Sequence, residues 1–214
     1  MVKISASMWS ADLSNLSKEL KKIEKYVDRF HFDVGDGSYI QNFLFFPDLI
    51  KKLRAKTKKE FEIHLMIKNP NDFIDMFKKV GADIILFHSD TVKNPEGMIR
   101  RIKGKSIKVG IVLKIDQQVS SLKKVIDKVN TIVVMGTKLG VKCKKFNKKS
   151  LMKIKKIKEI IEKRNLNNIE IEVDGGVRDY SVPLIVKAGG TMVVGGSIIF
   201  NKDYKKACKW LRTI

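Results

Sequence analysis

Short runs of apolar, β-branched residues alternate along the whole chain with longer segments whose apolar residues recur at helical spacing. The short runs predict strands, and the longer segments, such as the one carrying Leu13, Leu16, Leu20 and Ile23, predict amphipathic helices. The predicted strands are residues 3–8, 29–34, 61–66, 84–88, 107–113, 131–135, 169–173 and 191–194. Because strands and helices alternate, the pattern indicates a parallel sheet built from successive βα units.

Capping residues mark the ends of several predicted helices. Asn69 and Pro70 are expected to cap the third helix, which ends at Gly81, and Pro47 and Pro95 open the second and fourth. The predicted helices are residues 12–25, a segment from 47, 70–81, 95–103, 120–129, 150–164, 181–188 and 203–212. Eight strands and eight helices in 214 residues predict an α/β fold, a (β/α)8 TIM barrel that forms a single domain over residues 1–214.

Ionisable residues stand at the carboxyl ends of several predicted strands, where barrels of this kind form their active sites. His31 and Asp33 project from the same face of the second strand, and His64, His88 and Asp174 lie at or near the ends of the third, fourth and seventh. A single histidine in such a strand is more often a satisfied, half-buried residue than a ligand. Together, however, His31, Asp33, His64 and Asp174 suit one divalent metal ion, Zn²⁺, Fe²⁺, Mn²⁺ or Co²⁺.

Glycines follow the seventh and eighth predicted strands. Backbone N–H groups in such turns approach an anion closely, so Gly175, Gly176, Gly196 and Ser197 are predicted to bind a phosphate group of the substrate. Glycine pairs in ordinary turns are the alternative interpretation.

The formal net charge of +21 raises the question of nucleic-acid binding. Only seven of the 44 basic residues are arginines, the residue favoured for bidentate contacts, and the lysines are spread over nearly every polar helical face. We therefore expect no specific nucleic-acid partner, although attraction of an anionic substrate and weak nonspecific RNA binding are compatible with this charge. Residues 136–140 lack the spacing of a nucleotide-binding Walker motif.

The N-terminus enters the first predicted strand at once, and no apolar stretch is long enough to span a membrane. Cys143 and Cys208 lack metal-ligand spacing, as expected in a reducing compartment. We therefore predict a cytoplasmic protein with no membrane association. The aromatic loop 39–46 is interpreted either as a lid over the site or as part of a subunit interface, and we expect a homo-oligomer.

Several motifs, in order along nearly the whole chain, resemble those of ribulose-phosphate 3-epimerases and their ketose-phosphate relatives. They are residues 4–13, 31–37, 64–67, 81–83, 172–176 and 195–200. The resemblance implies a metal-dependent isomerase that epimerises C3 of a phosphorylated ketose, with D-ribulose 5-phosphate and D-xylulose 5-phosphate as the leading pair. It also implies that the four candidate ligands bind the metal.

The same resemblance implies that Asp33 and Asp174 are the catalytic acid and base and that Ser7, Met66 and Met135 contact the substrate. Inversion of a carbon next to a carbonyl independently requires two such groups, one on each face, and passes through an enediolate that a metal would stabilise. Asp36 is interpreted as capping a turn or orienting ligands.

The chain departs from the family pattern in the loop after the sixth strand, where residues 136–143 replace an Asn-Pro-Gly-Phe-Gly-Gly-Gln type of sequence. Our hypothesis is that Lys138 or Lys142 supplies charge to the phosphate there. The alternatives are an epimerase for another ketose phosphate, such as D-allulose 6-phosphate, and a noncatalytic barrel that binds RNA or another anion. A related decarboxylase or synthase is disfavoured because residues 31–36 lack the lysine of an Asp-x-Lys-x-x-Asp motif.

Overall fold

The computed structural model describes residues 1–142 and 144–214. Cys143, which the prediction from cysteine spacing included, lies outside the described residues. Cys208 is buried, and burial raises the pKa of its thiol to about 11.

Eight parallel strands form a closed barrel, which confirms the predicted (β/α)8 fold. With the short additional strand β3, the described residues form nine strands: β1 Lys3–Ser7, β2 Arg29–Asp36, β3 Phe43–Leu44, β4 Glu60–Met66, β5 Ile84–His88, β6 Lys108–Leu113, β7 Thr131–Met135, β8 Glu170–Asp174 and β9 Met192–Gly195. Around the barrel the order is β1, β2, β4, β5, β6, β7, β8 and β9, and β9 pairs with β1 to close it. The short strand β3 was not predicted; it pairs antiparallel with the end of β2 and turns part of the aromatic loop into a hairpin.

Helices connect most of the strands and pack against the outside of the barrel. They are α1 Leu16–Ile23, α2 Pro47–Arg54, α3 Ile74–Lys79, α4 Pro95–Lys103, α5 Lys149–Lys163, α6 Val182–Ala188, α7 Ser197–Phe200 and α8 Tyr204–Thr213. Each of the longer helices buries one apolar face, as Leu16, Leu20 and Ile23 do in α1. Among the described residues, we find no helix with the length and apolar character needed to cross a membrane.

The predicted helix 120–129 is wrong. The connection between β6 and β7 instead contains two 3₁₀ turns, Val119–Leu122 and Ile126–Lys128. Serines and β-branched residues are poor helix formers, and the Ser121 hydroxyl donates a hydrogen bond to the Gln118 carbonyl, which favours a turn. The buried side chains still pack on the barrel, so the apolar spacing is satisfied without an α-helix.

Two predicted helix starts also differ from the structure. Leu13 lies in a 3₁₀ turn before α1 and is 52% exposed, because the Asp12 carboxylate accepts the Ser14 backbone N–H and delays the helix. Asn69 does not cap the third helix with its side chain; it adopts a left-handed conformation before a 3₁₀ turn that leads into α3. Gly81 follows α3 with a φ of +94°, as predicted for a glycine beyond a helix end.

The interior of the barrel has two unlike halves. In the apolar half, alternate residues of β5, β6 and β7 form a cluster of Ile84, Leu86, Val112, Val133 and Met135. Gly110 on β6 leaves room for this cluster, because a Cβ atom there would lie 2.3 Å from Leu86 Cδ2. In the polar half, β1, β2, β4 and β8 point serine and charged side chains inward.

Candidate active site

The predicted metal ligands meet at the carboxyl end of the barrel. His31 and Asp33 come from β2, His64 from β4 and Asp174 from the last position of β8. One nitrogen or oxygen atom of each side chain lies within 4.8 Å of the corresponding atoms of the other three. We call these four residues the ligand cluster. Because side chains alternate between the two faces of a strand, every second one points into the barrel. Strands on different sides of the axis can therefore contribute to one site.

Asp33 lies at the centre of the ligand cluster. Its Oδ1 atom is 3.2 Å from both His31 Nε2 and His64 Nδ1, and its Oδ2 atom accepts the Ser7 hydroxyl at 3.2 Å. Asp174 Oδ2 is farther away, 3.5 Å from His64 Nδ1 and 3.9 Å from His31 Nε2. Two imidazole nitrogens and two carboxylates converge on one point, with Asp174 half-buried and the other three residues buried. This donor set fits a first-row divalent ion.

The surroundings separate the two carboxyl groups electrostatically. Burial raises the pKa of each, but in Asp33 the close His31 and His64 rings outweigh burial and hold its pKa well below the usual range. Burial and the nearby Asp33 carboxylate keep the pKa of Asp174 above its usual value. The two carboxyl groups therefore differ in electrostatic environment although they lie in one site.

Each histidine of the ligand cluster is held by a second group through its other ring nitrogen. His31 Nδ1 lies 2.7 Å from Glu62 Oε1, and His64 Nε2 lies 2.9 Å from His88 Nε2. Burial and the neighbouring His64 lower the pKa of His88 well below its usual value, so His88 is a neutral ring, and its Nε2 shares one hydrogen bond with His64 Nε2. His88, grouped with the other histidines from its position, therefore contacts a candidate ligand and lies outside the cluster.

Sequence reasoning missed the charged residues beneath the ligand cluster. Arg29 is 3% exposed and Glu62 and Glu172 are fully buried. The signal was available, because each stands two residues before a cluster residue on the same strand. The apolar residues that alternate with these charges make the segments look like ordinary buried strands.

A cleft opens above the ligand cluster and collects the predicted substrate-contacting residues. Its walls include all seven of them: Ser7, Met66, Met135, Gly175, Gly176, Gly196 and Ser197. Asp33 and Asp174 also reach its floor. Gly175 and Gly176 have φ values of +90° and +69°, and Cβ atoms on them would collide with Thr137 and with the Phe146 backbone. These two glycines thus allow the loop after β7 to pack closely against the turn after β8. Their contact with a phosphate stays a prediction.

Lys138 and Lys142 both line this cleft. Lys142 Nζ donates to the Trp9 carbonyl oxygen at 2.6 Å and lies 4.8 Å from the Trp9 ring centroid. Two further cations that the sequence did not single out, Lys144 and Arg178, stand on the same walls. The cleft is therefore rich in positive charge at the side where the atypical loop lies.

Asp36 caps the turn that follows β2, as predicted. Its Oδ1 atom accepts the backbone N–H groups of Ser38 and Tyr39 at 2.8 and 2.7 Å, and its Oδ2 atom accepts that of Lys68 at 2.7 Å. These bonds join the loop after β2 to the turn after β4. Asp36 thus fixes the wall of the cleft and does not face the ligand cluster.

Sequence comparison places this chain among sugar-phosphate enzymes. A sequence model of the ribulose-phosphate 3 epimerase family matches residues 3–200. The chain is 34% identical to the ribulose-phosphate 3-epimerase of Bacillus subtilis (strain 168), with 99% of both chains covered. It is 36% identical to that of Methanocaldococcus jannaschii, with 99% of this chain and 90% of the relative covered.

Comparison of structures gives the same barrel in more distant proteins. A 3-hexulose-6-phosphate synthase superposes with a TM-score of 0.67 at 18% identity, with 99% of both chains covered. A mutant tryptophan synthase α-subunit from the hyperthermophile Pyrococcus furiosus superposes with a TM-score of 0.68 at 16% identity, covering 99% of this chain and 94% of that one. At this level of identity the likeness concerns the fold alone.

Proposed function

The chain belongs to the ribulose-phosphate 3 epimerase family, and on that premise we propose that it interconverts D-ribulose 5-phosphate and D-xylulose 5-phosphate using one divalent metal ion. Membership makes it an isomerase of the epimerase type. The observation that carries the proposal is the pair Asp33 and Asp174, whose carboxyl groups reach one cleft from different strands.

The two carboxyl groups suit removal and return of a proton at C3. One carboxylate removes the C3 proton from one face of the substrate, and the other carboxyl group donates a proton to the opposite face. Reversal of the reaction exchanges their roles. Ser7, which donates to Asp33 Oδ2, orients that carboxylate, and Met66 and Met135 provide an apolar wall that excludes water near the reacting carbon.

The ligand cluster would hold the ion through His31, Asp33, His64 and Asp174. Once bound, the ion would supply positive charge that stabilises the negative charge developing on the substrate oxygens. Zn²⁺, Fe²⁺, Mn²⁺ and Co²⁺ all suit this donor set. The glycine turns after β8 and β9, together with Lys138 and Lys142, would bind the phosphate.

Proton NMR in D₂O tests this proposal directly. The protein, with and without a chelator, is incubated with D-ribulose 5-phosphate, D-allulose 6-phosphate and the matching unphosphorylated sugars. We expect deuterium at C3 with D-ribulose 5-phosphate only, lost on chelation and restored by added metal. Because the group that donates differs from the group that removes the proton, deuterium should enter the epimeric product before the recovered substrate.

The other outcomes separate the alternatives. Exchange confined to D-allulose 6-phosphate would move the assignment to that substrate, and the absence of exchange with any ketose phosphate from metal-loaded protein would refute epimerisation. When the same exchange is measured on Asp33→Asn and Asp174→Asn, Asp179→Asn is the matched control, since Asp179 is exposed and pairs with Lys202.

We also propose, from the sequence, that the chain forms one domain and assembles as a homo-oligomer in the cytoplasm. A single cooperative unfolding transition and a particle larger than the 24.5 kDa chain in light scattering are the expected results.

A further inference from the structure

A layer of charged side chains lies directly beneath the ligand cluster, inside the barrel. Each strand that contributes to the cluster carries one member two positions earlier, and residues two apart on a strand share a face. The pairs are Arg29 with His31, Glu62 with His64, and Glu172 with Asp174. We call Arg29, Glu62 and Glu172 the supporting layer. Because charges are costly to bury, their contacts call for an explanation beyond packing.

Within this layer Glu62 has little freedom to move. Its Oε1 atom lies 2.7 Å from His31 Nδ1 and accepts the Ser5 hydroxyl at 3.1 Å. Its Oε2 atom lies 2.7 Å from Arg29 Nη2. Arg29 is fixed in turn by Glu172 at 2.6 Å and Glu170 at 2.9 Å. The Glu62 carboxylate is therefore clamped between a guanidinium and an imidazole.

This arrangement determines whether the His31 nitrogen that faces Glu62 carries a proton. An ionised carboxylate only accepts hydrogen bonds, so His31 Nδ1 must donate. The opposite nitrogen, Nε2, faces the ligand cluster at 3.2 Å from Asp33 Oδ1. We propose that Glu62, held by Arg29, is a positioning residue that keeps a proton on His31 Nδ1 and thereby presents Nε2 to the metal ion. The proposal rests on the proposed function only in assuming that a divalent ion binds the ligand cluster.

The second histidine of the cluster makes an internal comparison possible. His64 is held by the neutral His88 ring and has its Nδ1 atom towards the cluster. No contact joins Glu62 to the His64 ring among the described residues. A change at Glu62 should therefore affect one of the two imidazole ligands and spare the other.

Glu62→Gln is the informative variant because it keeps the shape of the side chain. Arg29 can only donate hydrogen bonds, so the amide oxygen should face Arg29 and the amide NH₂ should face His31 Nδ1. Nδ1 would then have to accept, which moves the ring proton to Nε2, the nitrogen the ion needs. Loss of such a partner typically weakens metal binding about 10- to 100-fold.

The test combines two measurements on the full chain. Competition with a chromophoric chelator gives the affinity for Zn²⁺, and long-range ¹H–¹⁵N correlation spectra of labelled histidine rings report which nitrogen carries a proton. Single histidine variants assign the three rings. We expect wild type to show a proton on His31 Nδ1 both with and without Zn²⁺. Glu62→Gln should lose that proton and bind Zn²⁺ about 10- to 100-fold more weakly.

Glu170→Gln is the matched control. Glu170 also pairs with Arg29, but it lies at the other end of β8 and is not joined to His31 by any contact among the described residues. It should keep wild-type affinity and the Nδ1 proton. Arg29→Lys keeps the positive charge but loses the planar guanidinium, so its Zn²⁺ affinity should lie between those of Glu62→Gln and Glu170→Gln. It serves as the test if Glu62→Gln does not fold.

Three results would count against the proposal or its premise in different ways. Wild-type affinity and an unchanged Nδ1 proton in Glu62→Gln would overturn it. Equal losses in Glu170→Gln would also overturn it, because the effect would then come from general disturbance of buried charge. If wild type binds no Zn²⁺, the proposed metal site fails, and the proton on Nδ1 of the metal-free protein decides the positioning role by itself.

Discussion

The two halves of the barrel interior are built from opposite chemistry. The apolar half packs aliphatic side chains from β5, β6 and β7, whereas the polar half buries the supporting layer and the ligand cluster. Three buried atoms of the supporting layer, Arg29 Nε, Glu62 Oε2 and Glu172 Oε1, have no hydrogen-bond partner among the described residues, although Glu62 Oε2 forms an ion pair with Arg29. Burying charge costs stability, and aliphatic packing supplies it. We infer that the apolar half stabilises the fold that the polar half needs for its chemistry.

The largest expected effect comes from the polar half. Asp33→Asn or Asp174→Asn should lower kcat by about two to four orders of magnitude, because each removes one of the two proposed proton-transfer groups. Metal affinity should fall at the same time, since each side chain is also a candidate ligand. Steady-state kinetics and chelator competition measure both, and near-normal turnover in either metal-loaded variant would refute the two-carboxylate mechanism.

The corresponding experiment on the apolar half removes part of a buried aliphatic side chain. Leu86 is fully buried, so Leu86→Ala should cost about 2–5 kcal/mol of unfolding free energy through lost packing and a cavity. Metal affinity should stay at the wild-type value. Leu184→Ala, at a position that is 38% exposed, is the control, and denaturant titration is the measurement. Equal loss of unfolding free energy in Leu86→Ala and Leu184→Ala would contradict the inference that the apolar half stabilises the fold.

A smaller effect is expected where the wall of the cleft is fixed. Asp36→Ala should cost about 1–3 kcal/mol, because three backbone N–H groups lose their acceptor. Burial alone would raise the pKa of Asp36, but these donors, first that of Lys68, lower it below the usual value. The contribution is therefore present above the ordinary aspartate pKa and is lost as pH falls through the lowered one.

Thermal unfolding from neutral to acidic pH measures this dependence. The difference in melting temperature between wild type and Asp36→Ala should shrink at the acidic end. Asp48→Ala, at an exposed position in α2, serves as the control. A constant difference at all pH values would show that the carboxylate charge is not responsible.

The smallest expected effect concerns the cationic rim of the cleft. The double variant Lys138→Ala, Lys142→Ala should raise KM about tenfold, or ~1.4 kcal/mol, and leave kcat nearly unchanged. Lys51→Ala, Lys52→Ala removes the same charge from the exposed surface of α2 and controls for general electrostatic attraction. An unchanged KM in the first variant would refute the role of these lysines in phosphate binding.

The sequence predicted the barrel strands because each is a short apolar run between clear helical periods. It also placed His31, Asp33, His64 and Asp174 at one rim, because parallel strands end together. It failed where short-range hydrogen bonds decide the backbone, as at Ser121 and Asp12. Arg29 and Glu62 were missed although each stands two residues before a candidate ligand on its own strand. That spacing does not show that they pair with each other and with Glu172 of β8, and these contacts give them their importance.

Closure of the sheet has a consequence for how such a site can be moved or redesigned. In an open sheet an edge strand can slide by two residues and keep its side-chain alternation, but here each barrel strand is locked between two neighbours, with β1 pairing to both β2 and β9. A slip of β2 by two residues would lower His31 to the level of Arg29. Anyone transplanting this centre into another barrel must therefore match the shear of the recipient as well as its side chains.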